Sequence, residues 1–113
     1  MKKTLKTSLK TLVVAAVIAV AGPALADVNI GVTLSLTGPA SGLGIPVGNQ
    51  FKLWPQTIGG EKVNLIILDD ASDPSKGASN ARRFVTDDKV DMIFGGSITT
   101  VSVAVAPIAT EAK

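Results

Sequence analysis

From Val28 the chain reads Val-Asn-Ile-Gly-Val-Thr-Leu-Ser-Leu, apolar residues alternating with small or polar ones, and this period of two predicts a first strand over Val28–Leu36. Thr37-Gly38-Pro39 stops it. The next segment, Ala-Ser-Gly-Leu-Gly-Ile-Pro-Val-Gly from Ala40 to Gly48, reads as a glycine-rich loop, because Pro46 suits only the first turn of a helix. A short helix is therefore expected at Asn49–Trp54, ended or kinked by Pro55, with Ile58-Gly59-Gly60 turning the chain into its next element.

Glu61–Asp69 carries Val63, Leu65, Ile66, Ile67 and Leu68, an apolar run with little polar interruption, as expected of a central strand covered on both faces. Asp69-Asp70-Ala71-Ser72-Asp73-Pro74 follows, with Ser72 or Asp73 placed to cap a helix whose first turn holds Pro74. Ala78, Ala81 and Val85, with Phe84 beside them, form an apolar stripe at helical spacing, and this helix should end near Asp88. A third strand, Val90–Phe94, then leads through Gly95-Gly96 to a helix with Val101, Ala104, Val105, Ile108 and Ala112 on one face. Pro107 interrupts it and predicts a kink near Val103. Three strands alternating with helices over short connections predict an α/β fold, the start of a doubly wound parallel sheet.

Ahead of this pattern lie Lys2, Lys3, Lys6 and Lys10, an uncharged apolar run from Thr11 to Gly22, and Ala24-Leu25-Ala26 before Asp27. Basic, apolar and small-x-small regions in that order mark residues 1–26 as a cleavable signal peptide for export, since a bilayer span wants about 20 apolar residues. Its removal changes the charge. The chain has 11 Lys and Arg against 9 Asp and Glu, and loss of the four leader lysines leaves seven against nine, net −2. The apparent basicity belongs to the leader, and nothing points to nucleic acid as a partner. With neither cysteine nor histidine, the chain offers no disulfide framework, zinc–thiolate site, thiol nucleophile or hydrolase triad. The 87 remaining residues, 27–113, fall below the usual domain size of about 100 to 150 residues. The last periodic segment also stops at Glu111-Ala112-Lys113 without a cap or turn, so these residues are expected to be part of a larger lobe.

The stretch Asp91–Thr100 carries the candidate chemistry: an apolar strand, a glycine turn and a helix start with Ser97, Thr99 and Thr100 beside it. Unpaired backbone N–H groups at such a corner, flanked by hydroxyls, attract anions. The competing reading gives Thr99 or Thr100 only a capping role. A dinucleotide site is a rival, but Gly42-Leu-Gly-Ile-Pro-Val-Gly48 is G-x-G-x-x-x-G, one residue off the common fingerprint. Asp69, Asp70 and Asp73 invite a metal, although turn formation and capping account for Asp73 and Asp70 more simply. Arg82 and Arg83 read as a solvated helix face, and Phe51 and Trp54 as residues packing on the sheet.

In this order the motifs resemble one family. Ile30-Gly-Val-Thr-Leu-Ser-Leu-Thr-Gly-Pro39, Leu43-Gly-Ile-Pro46, Leu68-Asp-Asp-Ala-Ser-Asp-Pro74 and Phe94-Gly-Gly-Ser-Ile-Thr-Thr100, with Ala104-Val-Ala-Pro-Ile108, are similar to the N-terminal part of type I periplasmic solute-binding proteins of branched-chain amino acid ABC transporters. The resemblance implies a non-enzymatic receptor without cofactor or metal, whose two α/β lobes close over a small ligand and deliver it to a membrane permease. It places Thr99 where the first lobe holds a ligand carboxylate, and Ser97 and Thr100 beside that corner. Leu43 takes the position from which a large side chain often covers the ligand. The ligand implied is a branched-chain amino acid or another small carboxylate or amide. The rival classes are an exported Rossmann-like dinucleotide-binding enzyme and a small interaction domain of similar topology.

Overall fold

The computed structural model describes residues 26–112, so the leader read from the sequence lies almost wholly outside it. Within that range the elements are β1 (Val28–Leu34), α1 (Ser41–Phe51), β2 (Thr57–Ile58), β3 (Glu61–Asp69), α2 (Pro74–Thr86), β4 (Met92–Gly95) and α3 (Thr99–Glu111). Their sheet order is β2-β3-β1-β4. β1 pairs in parallel with β3 on one side, Val28 opposite Val63 through Leu34 opposite Asp69, and with β4 on the other, Ile30 opposite Met92 through Thr33 opposite Gly95. This is the α/β sheet that the alternation predicts, with one addition. Residues Thr57–Ile58 form an antiparallel edge strand that turns through Gly59-Gly60 onto Glu61 and Lys62, a feature too short to leave a periodic signal.

The alternation of β1 assigns its two faces to different helices. Ile30, Val32 and Leu34 cluster with Phe51 of α1 and with partly buried Trp54, Val63, Leu65 and Ile67. Phe94 of β4 joins that face, its ring 5.7 Å from Phe51 and 5.5 Å from Trp54, so Phe51 and Trp54 pack on the sheet as their spacing predicts. On the opposite face Gly31 lies against Phe84 of α2, and Ala81, Val101 and Val105 join α2 to α3 with Ile93, Ile98 and Ile108 around them. Arg82 and Arg83 are exposed, as expected, and Arg83 Nε reaches Asp88 at 3.2 Å.

Three expectations need correction. The most buried strand is β1, not β3, because β1 has a parallel neighbour on each side whereas β3 borders only the two-residue β2 on its outer side. The segment expected to be a glycine-rich loop is the first part of α1, which starts at Ser41 rather than Asn49 and carries Pro46 in its interior. The helix is held there by packing, since the Gly44 position lies so close to the end of β1 that a Cβ would come within 2.1 Å of the carbonyl oxygen of Ser35, the residue after the strand. Pro107 sits inside α3, which runs on through it from Thr99 to Glu111. Pro107 and Val103 are both exposed, so the carbonyl that loses its partner can bond to water. Lastly, Ala112 is exposed beyond the end of α3 instead of continuing its buried face.

Candidate functional site

β1 and β4 are neighbours whose chains leave the sheet toward opposite faces, β1 into α1 and β4 into α3. A crevice forms at the carboxyl ends of two such strands, and open α/β sheets bind ligands there. Leu43, at the third position of α1, flanks it from one face, and Thr99 and Thr100, the first two residues of α3, from the other. All three are exposed. Ser97 lies between them, half-buried, and its Oγ accepts the backbone N–H of Ser35 at 3.0 Å. The structure thus brings all four sequence-read residues to one edge of the sheet.

The start of α3 is set by its glycine turn. Gly96 adopts φ +75°, a left-handed conformation that a side chain resists, and its N–H donates to Thr33 O at 3.2 Å, carrying the β1–β4 ladder one step further. The first bond inside the helix runs from Ser102 N to Ile98 O at 3.1 Å, while the Ser102 hydroxyl lies 3.3 Å from the carbonyls of Gly95 and Ile98. The N-cap is Ile98, with no side-chain capping bond. Thr99 and Thr100 therefore do not cap this helix, contrary to the simpler sequence reading. Helix geometry leaves the amides of Thr99, Thr100 and Val101 without intrahelical acceptors, and the positive end of α3 opens on the crevice.

Behind the crevice lies a polar network the sequence reading missed. Asp70 is fully buried: its Oδ1 accepts the Ser35 hydroxyl at 2.7 Å and Ser72 N at 2.9 Å, and its Oδ2 accepts the Thr33 hydroxyl at 3.1 Å. The Asn80 side chain donates to Thr33 Oγ1 at 3.1 Å and to Asp69 O at 3.2 Å. Thr33, in β1, and Ser35, one residue past its end, stand two apart on the face toward α2, so the visible signal is the polar alternation itself. Asp69 turns the other way. Its Oδ1 accepts Leu36 N, Thr37 N and Ala71 N at 2.9, 3.1 and 2.8 Å, and its Oδ2 accepts the Thr37 hydroxyl at 2.6 Å. Burial pushes the Asp69 carboxyl up, but the Thr37 hydroxyl and the amides of Ala71, Thr37 and Leu36 outweigh it and hold the group below its ordinary value.

Asp73 caps α2, accepting Ser75 N at 2.7 Å and Lys76 N at 3.1 Å, as its place before Pro74 predicts. Ser72, the other capping candidate, instead bonds to the loop after β1. Among the described residues no group of three or more His, Cys, Asp or Glu is arranged to hold a metal ion. The glycines of the dinucleotide-like pattern lie within α1 and do not form a turn at the end of β1, which removes the basis of that rival reading.

Comparison with known proteins decides the family. Residues 27–113 match the family described as periplasmic binding protein. The chain belongs to that family. Among its curated relatives are a Leu/Ile/Val-binding protein homolog of Brucella melitensis, 35% identical over 91% of this chain and 29% of the relative, and a Leu/Ile/Val-binding protein of Rhizobium johnstonii, 36% identical over 96% and 30%. The chain thus spans about three tenths of the length of these periplasmic binding proteins. An extracellular ligand-binding receptor from Rhodopseudomonas palustris superposes with a TM-score of 0.75 at 45% identity, covering 77% of this chain and 24% of that one. A solute-binding protein of an ABC transporter from the same species, solved with 3,4-dihydroxybenzoic acid, gives 0.69 at 32% identity, covering 75% and 24%. The relatives are solute-binding proteins, and the α/β fold is that of the type I periplasmic binding proteins.

Proposed function

We propose that this chain forms part of the first ligand-binding lobe of an exported, non-catalytic solute receptor that feeds an ABC importer. The observation that carries the proposal is the uncapped start of α3, with its free amides and the Thr99 and Thr100 hydroxyls, at the strand-end crevice between β1 and β4. That arrangement suits a carboxylate or an amide oxygen. In this reading Thr99 donates its hydroxyl to the ligand, Thr100 and Ser97 flank the oxygen, and Leu43 covers the ligand's apolar part. The likeness to Leu/Ile/Val-binding proteins and to a receptor solved with an aromatic carboxylate supports a small carboxylate ligand, with branched-chain amino acids the first class to test. A second lobe would close over the ligand, a membrane permease would receive it, and residues 1–26 would be removed on export.

The test is calorimetric titration of the protein expressed from its complete reading frame with L-leucine, L-isoleucine, L-valine and 3,4-dihydroxybenzoate, beside the decarboxylated amine of leucine. Saturable binding of at least one carboxylate and none of the amine is expected. Binding that ignores the carboxylate would overturn the role given to α3.

A further inference from the structure

The crossing from β1 to α1 is fastened to a second loop along its length. Asp69 accepts both amides at its start, from Leu36 and Thr37, and the Thr37 hydroxyl as well. The Ser72 hydroxyl donates to Thr37 O at 3.1 Å and accepts Ala40 N at 3.0 Å. Between these points Gly38, at φ +80°, is pressed so closely on the second loop that a Cβ would lie 2.4 Å from Ala71 O. The clamp is costly to form, since Ala71 and Ser72 both hold positive φ, 51° and 64°, which non-glycine residues adopt at some expense. Their amides turn onto the carboxylates that repay it, Ala71 N to Asp69 at 2.8 Å and Ser72 N to Asp70 at 2.9 Å.

What the clamp holds is the first turn of α1. Leu43 N and Gly44 N both donate to Ala40 O, at 2.9 and 3.2 Å, and Ala40 is the residue whose own amide Ser72 grips. Leu43 itself is 59% exposed, so burial does little to fix its side chain. Its position relative to the Thr99 side of the crevice therefore depends on the loop as well as on the packing of Gly44 against Ser35.

We propose that Asp69, with Ser72, is a positioning residue for ligand binding: it touches no ligand and sets the place of Leu43 by anchoring the Leu36–Ala40 loop. This deepens the receptor reading above and rests on it. Asp69→Asn keeps the shape but removes the charge, and turns an N–H₂ toward the Thr37 hydroxyl, which must then accept a neutral hydrogen bond where it now donates a charge-assisted one.

The experiment is a double-mutant cycle of Asp69→Asn and Leu43→Ala in the protein expressed from its complete reading frame, titrated with L-leucine and 3,4-dihydroxybenzoate, with amide hydrogen exchange on the same samples. Asp69→Asn should weaken binding by about threefold to thirtyfold, the usual range for a residue acting through a packed neighbour. Little further loss should follow once Leu43 is already alanine. Exchange should quicken at Leu36, Thr37, Leu43 and Gly44 and stay unchanged in the β1–β3 ladder. Additive losses, or unchanged exchange at those amides, would overturn the proposal, because either result means that Asp69 contributes only general stability. If the unaltered protein binds neither probe, the receptor reading fails by itself, and the exchange pattern still decides whether Asp69 anchors the loop.

Discussion

Gly31 and Phe84 meet face on: a Cβ built on Gly31 would lie 2.6 Å from the centre-line carbon of the Phe84 ring and 2.8 Å from both of its neighbours. The ring, fully buried, uses the space a side chain on β1 would fill, and so seats α2 on the sheet. Gly31→Ala should therefore act as an overpacking change, costing about 1 to 3 kcal/mol. Phe84→Leu in the same protein should recover part of it. Urea melts of the two single variants and the double variant check this: a double variant with the summed loss would mean that the two residues do not share the space.

Asp70 should be less replaceable than its position in an acidic turn suggests. Asp70→Ala strands two buried hydroxyls and an amide, and unsatisfied buried groups of this kind cost on the order of 3 kcal/mol together. Asp70→Asn should cost less, since Oδ1 can still accept from Ser35 and Ser72. Equal melting temperatures for the Ala and Asn variants would contradict the network.

Asp69 and Asp70 illustrate what the sequence conveys and what it does not. The strand-helix alternation, the Asp73 cap and the buried faces of α2 and α3 follow from period and composition, which act locally. Ser97, Thr99, Thr100 and Leu43 share an end of the sheet because the parallel strands β1, β3 and β4 all have their carboxyl ends there. The start of α1 escaped notice because Gly42, Gly44 and Pro46 all argue locally against a helix, and only contact of Gly44 with Ser35 and the anchoring of Ala40 favour one. The roles of Asp69 and Asp70 were hidden for the same reason. Their partners, Thr33, Ser35, Leu36 and Thr37, are more than thirty residues away in sequence and come near only through the parallel β1–β3 register.

The lowered pKa of Asp69 fixes a pH dependence. A carboxyl depressed in the folded state stabilises above its unfolded value, near ~3.9, and that contribution is lost as pH falls through the lower folded value. The melting-temperature gap between the unaltered protein and Asp69→Asn should accordingly be full at pH 6, and shrink progressively below about pH 4. A gap that stays constant down to pH 3 would show that the charge of Asp69 is not what the loop uses.

Thr99 offers the sharpest separation of binding from folding. A hydroxyl that donates to a ligand carboxylate in a closed cleft contributes roughly 1.5 to 3 kcal/mol. Thr99→Ala should then weaken the binding of a carboxylate ligand by roughly ten- to a hundredfold, at about 1.4 kcal/mol per decade, and Thr99→Ser should weaken it far less. Because Ile98 is the N-cap and Thr99 an exposed first helical residue without a capping bond, the Ala variant should melt within about 0.5 kcal/mol of the unaltered protein. A capping threonine would give the reverse, a loss of ~1 kcal/mol in stability with affinity intact. Titration and thermal melts of both variants separate the two cases: affinity unchanged beside a lowered melting temperature would take Thr99 out of the ligand site and leave the backbone amides of α3 as the anion's partners.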